Sequence, residues 1–109
     1  MENLQKIFDK LDCPVIVEGK SDVAVMEDFQ MDEIVSLNGR PLYRVASSAS
    51  RTADEALVLT DFDSEGEKIA KKLNVFLERF GVVPKNSIRG KIKEIVTKEG
   101  VSQIENIKS

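Results

Sequence analysis

Apolar residues occur along the chain as short continuous runs that alternate with helical stripes. The runs predict buried strands, and they cover four segments: 14–17, 33–37, 56–60 and 86–88. The stripes, with apolar residues three or four positions apart, predict helices, and they cover five segments: 3–11, 23–29, 42–49, 64–80 and 92–96. The longest stripe places Phe80 on the same apolar face as Leu73 and Leu77.

Strands that alternate with helices and are apolar throughout predict a parallel sheet that is covered by helices on both faces. The sequence therefore predicts a single compact domain over residues 1–109, of α/β class and Rossmann-like type, with a mostly parallel four-stranded sheet. In such sheets the functional groups collect beyond the carboxyl ends of the strands. The residues that directly follow each strand are thus the first candidates for chemistry.

Composition narrows the chemistry that is available. The chain has no histidine and one cysteine, Cys13, which excludes an internal disulfide, histidine general bases and an ordinary zinc site. No apolar run approaches the roughly 20 residues that span a bilayer, and the first residues lack a signal pattern. Together with the single cysteine, this predicts a cytoplasmic protein that does not act at a membrane.

Charge is distributed unevenly although the net charge is only −3. Residues 1–33 hold 3 basic and 9 acidic residues, whereas residues 84–109 hold 6 basic and 3 acidic residues. An acidic first part and a mildly basic last part are compatible with a cation site beside an edge that faces phosphate. Solvated surface charge is the simpler alternative.

Acidic residues follow two of the predicted strands. Glu18 comes directly after the first strand, Asp61 and Asp63 come after the third, and Glu65 lies in the next turn. Because parallel strands end at one rim of the sheet, these carboxylates should lie close together and repel one another unless a cation is bound. Oxygen ligands without nitrogen or sulfur select Mg²⁺, Mn²⁺ or Ca²⁺, so the pattern predicts a Mg²⁺ site, with Mn²⁺ as an alternative.

Each of these acids taken singly has a structural alternative, because Asp, Ser and Glu are common in the first turn of a helix. Ser64 with Glu67 predicts a capping box for the long helix, and Ser21 or Asp22 is the predicted N-cap of the helix after the first strand.

Arginine and tyrosine residues in the middle of the chain also have two interpretations. The residues in question are Arg40, Arg44, Arg51 and Tyr43. The arginines are candidates for phosphate contacts or ordinary solvated side chains, and the tyrosine is expected to pack rather than to act as a nucleophile.

The two strand-end motifs resemble the Toprim domain, which topoisomerases, bacterial primases, recombination-repair proteins and certain nucleases share. They are Val15-Ile16-Val17-Glu18-Gly19-Lys20-Ser21-Asp22 and Leu57-Val58-Leu59-Thr60-Asp61-Phe62-Asp63-Ser64-Glu65-Gly66-Glu67. The resemblance covers nearly the whole chain and implies a stand-alone Toprim domain. It implies that Glu18 is the acid–base residue, that Asp61 and Asp63 bind Mg²⁺, and that Glu65 is the extra acid of the type I topoisomerase version.

Within the family, the motifs look closest to the ribonuclease that trims the precursor of the small RNA of the large ribosomal subunit. Asn38-Gly39 and Ile104-Glu105-Asn106 are also similar to that nuclease. A topoisomerase would need a separate domain with a nucleophilic tyrosine, and a primase would need further domains, so both are disfavoured.

The leading hypothesis is Mg²⁺-dependent hydrolysis of phosphodiester bonds in nucleic acid, as in RNA processing, with RNA rather than DNA as substrate. The predicted metal site consists of Glu18, Asp61, Asp63 and Glu65: the two aspartates would hold the ion, and Glu18 would share it or move a proton. The residues assigned to the substrate are Gly19, Lys20, Asp22 and Arg40. A protein partner would supply specificity. The alternatives are a non-catalytic module that binds nucleic acid or nucleotide phosphate with Mg²⁺, and a purely structural role for the acids, so enzymatic activity is left open.

Overall fold

The structure, a computed structural model, describes residues 2–109, with side chains from residue 3 onward. The strands are β1 Val15–Val17, β2 Ile34–Ser36, β3 Glu55–Val58 and β4 Val83–Pro84. The helices are α1 Glu2–Asp9, α2 Lys20–Asp28, α3 Leu42–Ser50, α4 Ser64–Arg79 and α5 Asn86–Lys98, followed by a 3₁₀ turn at Ile104–Asn106. No helix within residues 2–109 combines the length and the apolar character needed to cross a membrane.

The four strands form one sheet in the order β2-β1-β3-β4, and every neighbouring pair is parallel. This confirms the predicted α/β class and the parallel four-stranded sheet. Val15 of β1 is level with Ile34 of β2 and with Leu57 of β3. The carboxyl ends of the two central strands, β1 and β3, therefore lie side by side.

Alternate residues of the strands supply two apolar layers, one on each face of the sheet. Val15 and Val17 pack with helices α1, α2 and α5, whereas Ile16 packs with helices α3 and α4. Burial of such side chains stabilises the fold by about 1.5–3 kcal/mol each. Helices therefore cover both faces of the sheet, and Glu18, Asp61 and Asp63 beyond the strand ends remain partly exposed.

The predicted strand at 86–88 is wrong. Asn86 begins α5, and the fourth strand is the two-residue pair Val83–Pro84 at the edge of the sheet. A proline is tolerated at an edge because its missing N–H is not needed by a further strand. The predicted packing of Phe80 is also wrong: it follows α4, and its side chain is 43% exposed.

The N-caps predicted for α2 and α4 both lie later in the chain than the N-caps of the structure. Asp63, not Ser64, is the N-cap of α4, and its Oδ1 accepts a hydrogen bond of 2.8 Å from the amide of Gly66. Gly19 precedes α2, and Asp22 lies in the first turn, where its Oδ2 accepts a hydrogen bond of 3.1 Å from the amide of Gly19. Each acid thus fixes the turn between a strand and its helix.

Candidate functional site

The two strand-end motifs meet at the rim of the sheet. Glu18 follows β1, Asp61 follows β3, and Glu18 Oε2 accepts a hydrogen bond of 2.8 Å from the backbone amide of Asp61. This contact joins residues that are 43 positions apart in the sequence. It arises because β1 and β3 are adjacent, parallel and in register.

Four carboxylates collect around this contact, and we call them the acidic cluster: Glu18, Asp22, Asp61 and Asp63. Burial is the largest cause that raises the pKa of Glu18, and the negative charges of the other three raise it further, while the hydrogen bond from Asp61 opposes the shift. Burial also raises the pKa of Asp22, with contributions from Asp61 and from Glu105 beyond the cluster. The site is therefore a partly desolvated group of like charges, which a cation would relieve.

A segment after α5 holds Asp61 in place. Asp61 Oδ1 accepts a hydrogen bond of 2.8 Å from the amide of Ile104, and the amide of Phe62 donates to the carbonyl of Ser102 at 2.7 Å. Ile104 is fully buried, so this segment is anchored in the core. The motif Ile104-Glu105-Asn106 is visible in the sequence, but its place in the fold is not, because no local pattern shows that the chain returns to the rim there.

Arg89 of α5 binds the backbone of the loop that follows β3 and contains Asp61, which we call the Asp61 loop. The sequence did not predict this role. The guanidinium of Arg89, in a residue that is 8% exposed, donates to three carbonyl oxygens at 3.0, 3.0 and 3.3 Å: those of Val58, Thr60 and Asp61. It also pairs with the carboxylate of Glu67. The available signal was helical spacing, since Arg89 shares the apolar face of α5 with Ile92 and Val96.

Gly66 allows the first turn of α4 to pack directly against the backbone of Asp61. Thr60 Oγ1 donates a hydrogen bond of 2.7 Å to the carbonyl of Gly66. A Cβ atom at Gly66 would lie 2.0 Å from the carbonyl oxygen of Asp61, so only glycine fits without displacing that backbone. The glycine is thus a requirement of the site geometry.

The remaining predicted residues lie at or near the rim with different surroundings. Glu65 is exposed in the first turn of α4, and its side chain makes none of the ion pairs found in residues 2–109. Lys20 is exposed at the start of α2. The guanidinium of Arg40 donates hydrogen bonds to the carbonyls of Ser36 and Leu37, the latter at 3.2 Å. These bonds satisfy two carbonyl groups at the carboxyl end of β2.

The donor set fits an open magnesium site better than a closed one. Within the described part of the chain, no group of three or more acidic, histidine or cysteine side chains is close enough to enclose a metal ion. Glu18, Asp61 and Asp63 each give one carboxylate oxygen to a backbone amide, which leaves the second oxygen for another partner. Mg²⁺ commonly uses only one or two protein carboxylates and keeps several waters, so these residues fit that ion.

Comparison with known proteins identifies the family of the chain. The sequence profile of the Toprim domain matches residues 13–95. A UPF0292 protein of Pyrococcus horikoshii is 35% identical over 112 residues, covering 99% of this chain and 83% of its own, and one of Methanosarcina acetivorans is 31% identical over 101 residues, covering 92% and 69%.

A solved structure of a protein from Aquifex aeolicus shares the fold, with a TM-score of 0.80 and 23% sequence identity over 98% of this chain and 100% of that one. The compact α/β architecture with its parallel four-stranded sheet agrees with the sequence matches. The chain therefore carries a Toprim domain and belongs to the UPF0292 family.

Proposed function

We propose that the protein hydrolyses phosphodiester bonds of nucleic acid with the help of Mg²⁺, and that RNA is its substrate. The observation that supports this most directly is the meeting of Glu18 with the Asp61–Asp63 turn at the accessible rim. Toprim domains bind Mg²⁺ and are found in enzymes of nucleotidyl transfer and in nucleases. The resemblance of the motifs to a Toprim ribonuclease favours RNA, with a protein partner supplying specificity.

Asp61 and Asp63 would be the two protein carboxylates that hold the ion, through the oxygens that accept no backbone hydrogen bond, and Glu65 and Glu18 would reach it through its bound waters. An ion held there, Mg²⁺ or Mn²⁺, would supply positive charge that stabilises negative charge on a phosphate oxygen. Glu18 is the proton carrier: its burial among other acids raises its pKa above the ordinary value, which suits a group that accepts and returns a proton.

Residues at the start of α2 and the end of β2 would position the substrate. Lys20 is exposed and able to reach a phosphate, and the backbone of Gly19 lies at the N-terminus of α2. Asp22 acts through the amide of Gly19, which it binds. Arg40, at the end of β2, borders the same rim.

A second function is a binding module that docks nucleic acid with Mg²⁺ and does not cleave it. One observation favours it: no closed ligand cage exists among residues 2–109, and one oxygen of Glu18, of Asp61 and of Asp63 already accepts a backbone hydrogen bond. Such a site would hold an ion loosely and serve as a bridge to phosphate.

Cleavage assays separate the two functions. Labelled single-stranded RNA, duplex RNA and single-stranded DNA are incubated with Mg²⁺ and wild type, Glu18→Gln, Asp61→Asn or the control Glu78→Gln on the exposed end of α4. We expect RNA cleavage to fall by about a hundredfold or more in both site variants, through loss of the general base in Glu18→Gln and loss of a metal ligand in Asp61→Asn, and to persist in the control. Equal cleavage in all variants would reject hydrolysis at this site, and saturable Mg²⁺-dependent binding without product would select the binding module.

A further inference from the structure

Helices α3 and α4 expose aromatic and arginine side chains that play no part in the acidic cluster. We call this surface the aromatic–arginine patch, and it consists of six residues: Tyr43, Arg44, Arg51, Phe76, Arg79 and Phe80. The side chains of Tyr43 and Phe80 are 49% and 43% exposed. Large aromatic side chains that remain half exposed next to cations are a common feature of binding surfaces.

Four of the six side chains of the patch form ring–ring or guanidinium–ring pairs. The ring centroids of Tyr43 and Phe76 are 6.4 Å apart at a tilted angle of 59°. The guanidinium of Arg44 lies 5.9 Å from the Tyr43 ring, and that of Arg79 lies 5.7 Å from the Phe76 ring. A depression of about 450 Å³ is lined by Tyr43, Arg44, Ser47, Ser48, Arg51 and Phe80.

The positive charge of the patch is not neutralised locally. Arg44, Arg51 and Arg79 take part in none of the ion pairs found in residues 2–109. The stretch 34–53, which contains α3, holds three arginines and no acidic residue, although the whole chain carries a net charge of −3. The α3 side of the surface therefore carries a positive charge, opposite in sign to the net charge of the molecule, and its natural partner is an anion.

We propose that the aromatic–arginine patch binds single-stranded nucleic acid, independently of any divalent ion at the acidic cluster. Exposed aromatic rings give unpaired bases a surface on which to stack, and arginines bind the phosphates between them. Ser47 and Ser48 line the depression and supply hydroxyl groups for hydrogen bonds. A second copy of the chain fits less well, because a symmetric contact would oppose three unpaired arginines to three others.

Binding is measured by fluorescence anisotropy with a labelled 12-nucleotide oligouridine, in EDTA and across a range of salt concentrations. We expect wild type to bind the single strand more tightly than a duplex of equal length. Tyr43→Ala weakens binding by about fivefold or more, the lower end of what loss of one stacked base produces. The double variant Arg44→Ala with Arg51→Ala reduces the steepness of the plot of log binding constant against log salt concentration by about 1.4. Each phosphate contact with a single strand contributes about 0.7 to that slope.

Matched variants test the chemistry of the patch. Tyr43→Phe keeps the ring and retains binding, whereas Tyr43→Leu keeps apolar area without a ring and loses it. Lys10→Ala with Lys91→Ala removes two exposed charges outside the patch and leaves the salt slope nearly unchanged. Equal binding by the Leu and Phe variants, or equal salt slopes for the two double variants, would overturn the proposal.

The test also separates this proposal from hydrolysis at the acidic cluster. Asp61→Asn, which removes a proposed metal ligand, should bind oligouridine in EDTA as wild type does. If Asp61→Asn loses cleavage while the patch variants bind oligouridine normally, the proposal for the patch is wrong and the catalytic proposal is supported. A wild-type dimer that dissociates in Tyr43→Ala, without oligonucleotide binding, would instead assign the surface to a second copy.

Discussion

Glu18 and Asp61 are joined by a hydrogen bond of 2.8 Å from the Asp61 amide to Glu18 Oε2, so the two motifs of the rim are tied to each other and not merely near each other. The same bond helps to explain how the Glu18 carboxylate is accommodated among other carboxylates. The amide dipole offsets part of the repulsion, although burial and neighbouring charge still raise the pKa of Glu18.

Neutralising Glu18 should stabilise the protein when no divalent ion is present. Its raised pKa means that the folded state disfavours the ionised form, so Glu18→Gln removes a cost while Oε1 of the glutamine still accepts from Asp61. We expect the melting temperature in EDTA to rise by a few degrees, and the stabilisation by added Mg²⁺ to shrink. Differential scanning calorimetry with and without Mg²⁺ measures both effects. Glu27→Gln on the exposed side of α2 is the control, and a lower melting temperature for Glu18→Gln would contradict the argument.

Gly66→Ala should disrupt the Asp61 loop. The added methyl group would meet the Asp61 carbonyl oxygen at 2.0 Å, so the backbone must move. We expect a loss of about 1–3 kcal/mol in the free energy of unfolding, as for overpacking, together with weaker Mg²⁺ binding. Gly90→Ala on α5 is the matched control, because its Cβ would have no neighbour within 4 Å and alanine favours a helix by about 0.5–1 kcal/mol. Urea unfolding that shows equal effects for the two variants would disprove the close contact.

Arg89→Met should weaken both stability and the site. It leaves three backbone carbonyls and the Glu67 carboxylate without their shared cation, at a cost of roughly 2–4 kcal/mol. Arg89→Lys restores the charge but not the fork of donors, so we expect partial recovery of stability. Calorimetric titration with Mg²⁺ at a temperature where every variant is folded shows whether the loop is displaced. Lys91→Met, exposed on the same helix, should change stability by no more than about 0.5 kcal/mol.

Glu67 should contribute to acid unfolding. Hydrogen bonds from Lys93 and then from Arg89 hold the pKa of Glu67 below its ordinary value of 4.5. The folded state therefore favours the ionised form, and this stabilisation is complete above pH 4.5 and is lost as the pH falls through the lowered value. Its size is at most about 1 kcal/mol, because the side chain is partly solvated.

Unfolding free energies of wild type and Glu67→Gln, measured from pH 7 down to about pH 3, should converge at the acid end. The control is Glu94→Gln, whose ion pair with Lys98 is largely exposed. A constant difference between wild type and Glu67→Gln over the whole pH range would argue against the linkage.

The order of strands and helices could be predicted because each element carries its own apolar pattern. The place where Glu18 meets Asp61 followed from one further rule, that neighbouring parallel strands end at the same rim. The N-cap of α4 lies one residue before the predicted Ser64 because Asp63 and Ser64 are both good N-caps, and only the contact with Gly66 distinguishes them. The fourth strand, with two residues, is too short to leave a periodic signal.

Contacts between distant segments could not be predicted from local pattern. Arg89 shows its inward position through helical spacing, yet nothing in that spacing names Thr60 or Asp61 as its partners. The bond from the Ile104 amide to Asp61 Oδ1 depends on where the chain runs after α5, which no motif specifies. Such supports become visible only when the whole backbone is placed.

The anchoring of Asp61 by Ile104 has a consequence for protein engineering. The family profile ends at residue 95, whereas the amide that holds this aspartate lies nine residues later. A chimera spliced at the profile boundary would transplant the motif without its brace, and the recipient would have to provide another donor. Grafts of this module into other proteins should therefore extend at least through Ile107, which is itself buried.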